Sequence, residues 1–265
     1  MSTALVTGGS SGIGFALAKE LAQRGFHLLL VSNQEEELGK CKQQIEQQFP
    51  IRCYTLYKDL YATNSAQEIF DFCTQNNLDI SVLINNAGIL LFSEIVATPV
   101  KKVNAILQLH MYTPTVLCRL FGEQMKNEGK GFVLNVSSIS AVMPYPGISL
   151  YGPTKTYMRY FTRAFRNEMK RYNVNVTCLI PGATETALYD PNRINLSLAK
   201  NLGVMQTAET VARAGIKALL KNKAECIPGF LNKLTVWALP LVPSWLIRQI
   251  HERTNLVRTG SNALG

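Results

Sequence analysis

The chain has 265 residues, 47% of them hydrophobic, and carries 27 Lys or Arg against 18 Asp or Glu, a formal net charge of +9. That length allows one large core in a single α/β domain, and no internal repeat, low-complexity tract or linker divides it. Six cysteines without a close pair and three histidines argue against a metal centre or a cycling dithiol, and no uninterrupted apolar run reaches the roughly 18 residues that span a bilayer.

Residues 3–7 read as a short apolar strand, and residues 13–24 place Ile13, Leu17, Ala18 and Leu21 at helical spacing. Between them lies Thr7-Gly8-Gly9-Ser10-Ser11-Gly12-Ile13-Gly14. Glycines at 8, 12 and 14 let the backbone bend tightly, approach a pyrophosphate and pack the helix on the sheet, while the helix N-terminus offers N–H groups to an anion. Gly8, Ser10, Ser11, Gly12, Ile13 and Gly14 are therefore the candidate phosphate-binding residues; for the turn alone, a glycine-rich connection without a ligand is the competing reading. Residues 27–31 form a continuous apolar run typical of a buried parallel strand. Just beyond it, a carboxylate would bond the adenosine ribose hydroxyls and an Arg would favour a 2′-phosphate. The chain has Ser32, Asn33 and Gln34 there, and with no acid to repel a phosphate NADP(H) is favoured over NAD(H).

Further strand-like runs at 51–57, 80–85, 131–137 and 174–180 alternate with helical stretches near 34–48, 63–76, 99–128, 150–172 and 207–221. That alternation predicts an α/β fold: a single-domain, Rossmann-like, doubly wound parallel sheet with helices on both faces. It covers residues 1–229, with 230–265 as an apolar, basic C-terminal extension of the same domain. The stretch 184–204 is a candidate lid.

Ser138 follows the run at 131–137, at the carboxyl end of a predicted strand, where open α/β sheets bind ligands. Tyr151 and Lys155 stand four residues apart, on one face if 150–172 is helical, and Pro153 confines Tyr151 to the first turn. A phenol is a poor acid–base catalyst at neutral pH, and a fixed ammonium beside it favours the phenolate. A half-buried aromatic, a solvated lysine and a capping serine are the plain alternatives for the three taken singly.

Taken together, Thr7-Gly8-x-x-x-Gly12-x-Gly14, Asp59-Leu60, Asn85-Asn86-Ala87-Gly88, Ser138, Tyr151-x-x-x-Lys155 and Pro181-Gly182-x-x-x-Thr186 resemble the short-chain dehydrogenase/reductase superfamily, over about residues 3 to 230. The resemblance implies proton transfer by Tyr151, carbonyl polarisation by Ser138, and a Lys155 that holds the nicotinamide ribose and lowers the tyrosine pKa. It also implies that Asp59 and Leu60 flank the adenine, that Asn86, Ala87 and Gly88 line the cleft with Pro181 and Gly182, and that Thr184 and Thr186 close over the cofactor. One position departs from the family pattern: His110 stands where members carry an Asn that supports a water-linked relay to the lysine. His110 either keeps that catalytic role, adding a titrating group, or is a satisfied core histidine.

Residues 230–250 hold both tryptophans, Trp237 and Trp245, among leucines and prolines, with Lys233 and Arg248. Such a mixture suits an interfacial segment at a membrane surface or a cover over a hydrophobic channel; a helix packed on its own core or on a second subunit is the alternative. The expected activity is interconversion of a ketone and a secondary alcohol with NADP(H), as a reductase of a hydrophobic carbonyl such as a 3-oxoacyl chain, a 3-ketosphinganine-like lipid or a steroid. A reductase of small polar or sugar carbonyls and a non-catalytic NADP-binding sensor or scaffold are the rivals. No nucleic-acid partner is expected. The resemblance suggests a homodimer or homotetramer built on the helices near 99–128 and 150–172. No charged-then-apolar leader precedes the first strand, so the expected location is cytoplasmic, peripheral to the inner face of a membrane if the C-terminal segment binds one.

Overall fold

The computed structural model describes residues 2–185, 205–243 and 245–249. Its strands are β1 (Thr3–Thr7), β2 (His27–Ser32), β3 (Cys53–Tyr57), β4 (Ile80–Asn85), β5 (Gly131–Val136), β6 (Val174–Leu179) and β7 (Glu225–Cys226). They form one parallel sheet in the order β3-β2-β1-β4-β5-β6-β7. The helices are α1 (Gly12–Ala22), α2 (Glu35–Gln48), α3 (Ser65–Gln75), α4 (Val100–Leu107), α5 (Thr113–Glu128), α6 (Tyr151–Met169), α7 (Ala208–Leu220) and α8 (Phe230–Ala238).

The continuous apolar runs are explained by burial on both faces. Successive strand residues point to opposite sides. Ala4, Val6, Leu28 and Leu30 accordingly join a cluster with α1, α2 and α7, whereas Leu5, Leu29 and Val31 join one with α3 and α5. The chain winds outward from β1 in both directions, so the sheet's switch point falls between β1 and β4, and a crevice opens at their carboxyl ends.

All six strands read from the sequence are present, with 51–57 trimmed to Cys53–Tyr57. β7 was not anticipated, because two residues carry no periodicity. Its Glu225 is gripped by Arg159 of α6 in a two-pronged ion pair, Nε to Oε1 at 2.9 Å and a terminal nitrogen to Oε2 at 2.8 Å. The helix expected over 99–128 is broken in three, with a π-helical segment at Gln108–Tyr112 between α4 and α5. Pro114 has no N–H to give the His110 carbonyl four residues earlier, so a regular α-helix cannot run through this point and a wider turn takes its place. The result is to push residue 110 toward the crevice.

The candidate lid at 184–204 lies, from residue 186 onward, outside the described residues. The C-terminal segment, where described, packs on the site side of the sheet: Val236 clusters with Cys178 and Ile180, and the buried Asn232 sits against Gly182.

Candidate active site

The glycine turn is fixed by β2 and β4 together. The Gly8 N–H donates to the Val31 carbonyl at 2.8 Å. Thr7 Oγ1 accepts from the Asn86 and Ala87 N–H groups at 3.0 and 3.1 Å, and the Asn86 side-chain amide donates back to the Thr7 and Gly8 carbonyls at 3.1 and 3.3 Å. Gly8 and Gly12 take φ of +64° and +52°, a region costly for residues with a Cβ. At Gly14 a Cβ would run into the Gly8 carbonyl oxygen and the Asn86 amide. The cradle is therefore sized for bare backbone. Ser11 precedes α1 with extended backbone and takes none of its first N–H groups with its own side chain, which suits an anion at that helix end.

A cleft of about 320 Å³ runs from this turn across the sheet. At one end Ser32, Asn33 and Gln34 meet Ser10. The Ser10 hydroxyl donates to Gln34 Oε1 at 3.0 Å, so in its 2.8 Å contact with Ser32 the Ser32 hydroxyl is the donor. Lys58 also lines this end and pairs with Glu68 at 2.9 Å. Sequence reasoning passed over this cation, although it directly precedes Asp59-Leu60, which also line the cleft.

At the other end stand Ser138, Tyr151 and Lys155, with Gly88, Pro181, Gly182 and Thr184 beside them. Ser138 caps a short turn, Ile139–Val142, its Oγ accepting from the Ser140 N–H at 3.2 Å; that uses a lone pair and leaves the O–H as a donor. Tyr151 opens α6, as Pro153 required. Lys155 is buried, donates to the Val136 carbonyl at 3.2 Å and lies 5.7 Å from the Tyr151 ring centre. Burial lowers its pKa from 10.5 to about 8. β5 and α6 are held in register behind these groups: Asn85 Nδ2 donates to Asn135 Oδ1 at 2.8 Å and Asn135 Nδ2 to Thr162 Oγ1 at 3.0 Å.

His110 lies behind the cleft, 1% exposed, with both ring nitrogens engaged. Nε2 accepts from the Ile89 N–H at 3.0 Å, and Nδ1 lies 3.0 Å from Thr154 Oγ1. Burial, then the charge of Lys155, hold its imidazolium form well below the usual range. Of the residues proposed from the sequence as catalytic or cofactor-binding, all line the cleft except Gly14, which shapes the turn, His110, and Thr186, which lies outside the described residues.

The sequence model of the family described as short chain dehydrogenase matches residues 2–196. The very-long-chain 3-oxoacyl-CoA reductase of Macaca fascicularis is 26% identical over 263 residues, covering 95% of this chain and 79% of that protein. The 17-beta-hydroxysteroid dehydrogenase type 3 of Homo sapiens is 26% identical over 247 residues, covering 89% and 76%. A short-chain dehydrogenase from Sphingobium yanoikuyae, solved in complex with NADPH, superposes with a TM-score of 0.81 at 22% identity, covering 99% of each chain.

Proposed function

The chain belongs to the short-chain dehydrogenase/reductase family and is an oxidoreductase acting on CH–OH groups, and from that premise we propose that it is an NADP(H)-dependent reductase of a hydrophobic, lipid-like ketone. The observation that carries the reading is the convergence of Ser138, Tyr151 and Lys155 at one end of a cleft whose other end is a glycine cradle. The cradle fits a dinucleotide, because its glycines clear the space that a Cβ at 8 or 14 would fill. Gly8, Ser10–Gly12, Asn86, Ala87 and Gly88 would hold it, with Asp59 and Leu60 flanking the adenine and Pro181, Gly182, Thr184 and Thr186 closing over the nicotinamide half. When bound, it supplies the hydride.

The protein's own residues handle oxygen and proton. Ser138 donates to the substrate oxygen as negative charge grows there, and Tyr151 delivers the proton. Lys155 stabilises the phenolate charge left on Tyr151, because its own charge is held in a low-dielectric site at short range. NADP(H) is supported by the absence of a carboxylate at Ser32, Asn33 and Gln34 and by Lys58 lining the same end. A hydrophobic substrate is supported by Val236 of α8, which packs with Ile180 and Ile139 next to Pro181 and Ser138, and by the names of the relatives above.

The C-terminal segment is read as a peripheral contact with the inner face of a membrane. Phe230, Trp237 and Leu241 are 80%, 79% and 83% exposed, with Lys233 among them. A cytoplasmic homodimer or homotetramer is supported by the apolar and aromatic exposure of α4 to α6 at Val100, Tyr112 and Tyr160.

The test follows NADPH and, separately, NADH consumption at 340 nm against ketones graded from short polar sugars through steroids to long-chain 3-oxoacyl and ketosphinganine lipids. Turnover confined to NADPH and rising with apolar length is expected. Activity only on small polar ketones, or nucleotide binding without turnover of any ketone, would overturn the proposal.

A further inference from the structure

We propose that His110 is a positioning residue, a neutral imidazole strut that orients Tyr151 by tying the first turn of α6 to the loop after β4. The directions of the hydrogen bonds carry this. The Ile89 amide can only donate, so Nε2 must present its lone pair and the ring proton must sit on Nδ1. Nδ1–H then donates to Thr154 Oγ1, and the Thr154 hydroxyl donates onward to the Tyr151 carbonyl at 2.7 Å. Every bond in this chain has a donor and an acceptor in only one arrangement. A second contact acts on the phenol directly: the His110 and Tyr151 rings meet edge to face, centres 5.6 Å apart and planes at 78°. One side chain therefore constrains both the backbone and the ring of Tyr151.

Among the described residues, the titratable groups facing the ring are Tyr151 and Lys155, both from α6; the β4 loop presents the Ile89 N–H and Gly88. A Cβ built on Gly88 would lie 3.1 Å from His110 Nε2 and 3.4 Å from Lys155 Nζ, so the ammonium stands on the Nε2 side of the imidazole. A proton on Nε2 would face that charge and displace the Ile89 N–H. Both penalties fix the tautomer, and a ring so fixed cannot pass protons. The residue that stands in the place of a relay group thus works by geometry: the imidazole meets the Ile89 N–H with one nitrogen and the Thr154 hydroxyl with the other.

Two measurements test the strut. The chain has only three histidines, so long-range proton–nitrogen NMR spectra of the full protein, with His110→Gln as the assignment control, report the tautomer directly. The expected result is an Nδ1–H ring that does not titrate between pH 8 and about 5.5; an Nε2–H ring, or titration near the ordinary histidine value, overturns the proposal. The kinetic arm rests on the ketone-reductase reading. Thr154→Val, which keeps the side-chain shape and removes the hydroxyl, should lower kcat about ten- to a hundredfold with the NADPH Kd and the pH profile unmoved. Thr154→Ser should restore it. A kcat unaffected by Thr154→Val, or a pH profile that moves with it, refutes the strut. Absence of turnover in the wild type would instead refute the ketone-reductase reading and leave the NMR arm to decide this one.

Discussion

Lys155→Met should make the protein more stable at neutral pH while removing its activity. The fall of the Lys155 pKa from 10.5 to about 8 means that the native state holds this ammonium at a penalty relative to the unfolded chain. At 1.36 kcal/mol per tenfold, that penalty is about 3 kcal/mol. Methionine matches the buried stem and carries no charge, but it leaves the Val136 carbonyl without its donor, at roughly 1–2 kcal/mol. A net gain of about 1–2 kcal/mol remains, on the order of 2–6 °C in Tm for a chain of this size.

The pH dependence has a definite sign. Below pH 8 lysine is protonated in both states and the penalty is complete. Between about 8 and 10.5 the unfolded state holds more protons than the native one, so wild-type stability rises relative to the variant and the gap closes. Scanning calorimetry of both proteins from pH 6.5 to 10.5 reads this as a difference curve. The buried thiols of Cys53, Cys73 and Cys118, each pushed up to about 12, act on both proteins alike and cancel. A variant less stable than wild type at pH 7, or a gap independent of pH, would refute the reasoning.

Tyr151→Phe should cut ketone turnover by about 10²–10⁴-fold while the NADPH Kd, read by fluorescence titration, barely moves; a small loss of turnover would remove Tyr151 from the proton path. Ser32→Asp places a carboxylate at the ribose end and should lower the NADPH-to-NADH preference by roughly tenfold or more, and an unchanged ratio would show that the 2′-phosphate does not meet residue 32. Gly14→Ala forces a Cβ against the Gly8 carbonyl and should destabilise the fold by about 1–3 kcal/mol with loss of nucleotide binding; full binding would mean that the cradle is not the phosphate site. Trp237→Glu should reduce cosedimentation with anionic vesicles while leaving turnover of a water-soluble ketone intact, and unaltered sedimentation would count against a membrane-facing α8.

Most of the sheet was legible because its strands are buried on both faces and so read as unbroken apolar runs. Leu28, Leu29, Leu30 and Val31 are all fully buried, as a short apolar run flanked by Gly25 and the polar Ser32-Asn33-Gln34 suggests for a central parallel strand. What sequence periodicity missed is what periodicity does not encode. β7 is too short to have a period; backbone bonds to β6, from the Cys178 N–H to the Ala224 carbonyl at 2.9 Å and from the Ile180 N–H to the Cys226 carbonyl at 2.8 Å, hold it at the sheet edge together with the Arg159–Glu225 pair. The break between α4 and α5 was written in Pro114, but the apolar spacing continues through it and hides the lost N–H. Lys58 belongs to no motif of its own, and side-chain direction in a loop depends on the fold around it.

The site is also where the chain departs most from its own stabilising rules, and the departures converge. Two glycines with positive φ, a π-helical segment and a buried ammonium with no carboxylate partner among the described residues lie in or directly behind one crevice. Each is costly alone. Conflicts between local preference and fold are expected to gather where function demands them. Here each conflict has a distinct product: the glycines open space for a backbone-bound anion, the π segment delivers His110 behind Tyr151, and burial keeps the Lys155 charge unshielded at the point where a phenolate would form. A nucleotide-sensing scaffold has use for the first of these and for neither of the others. Both concern the orientation and charge of a single phenol, which is why the arrangement favours proton transfer over mere binding.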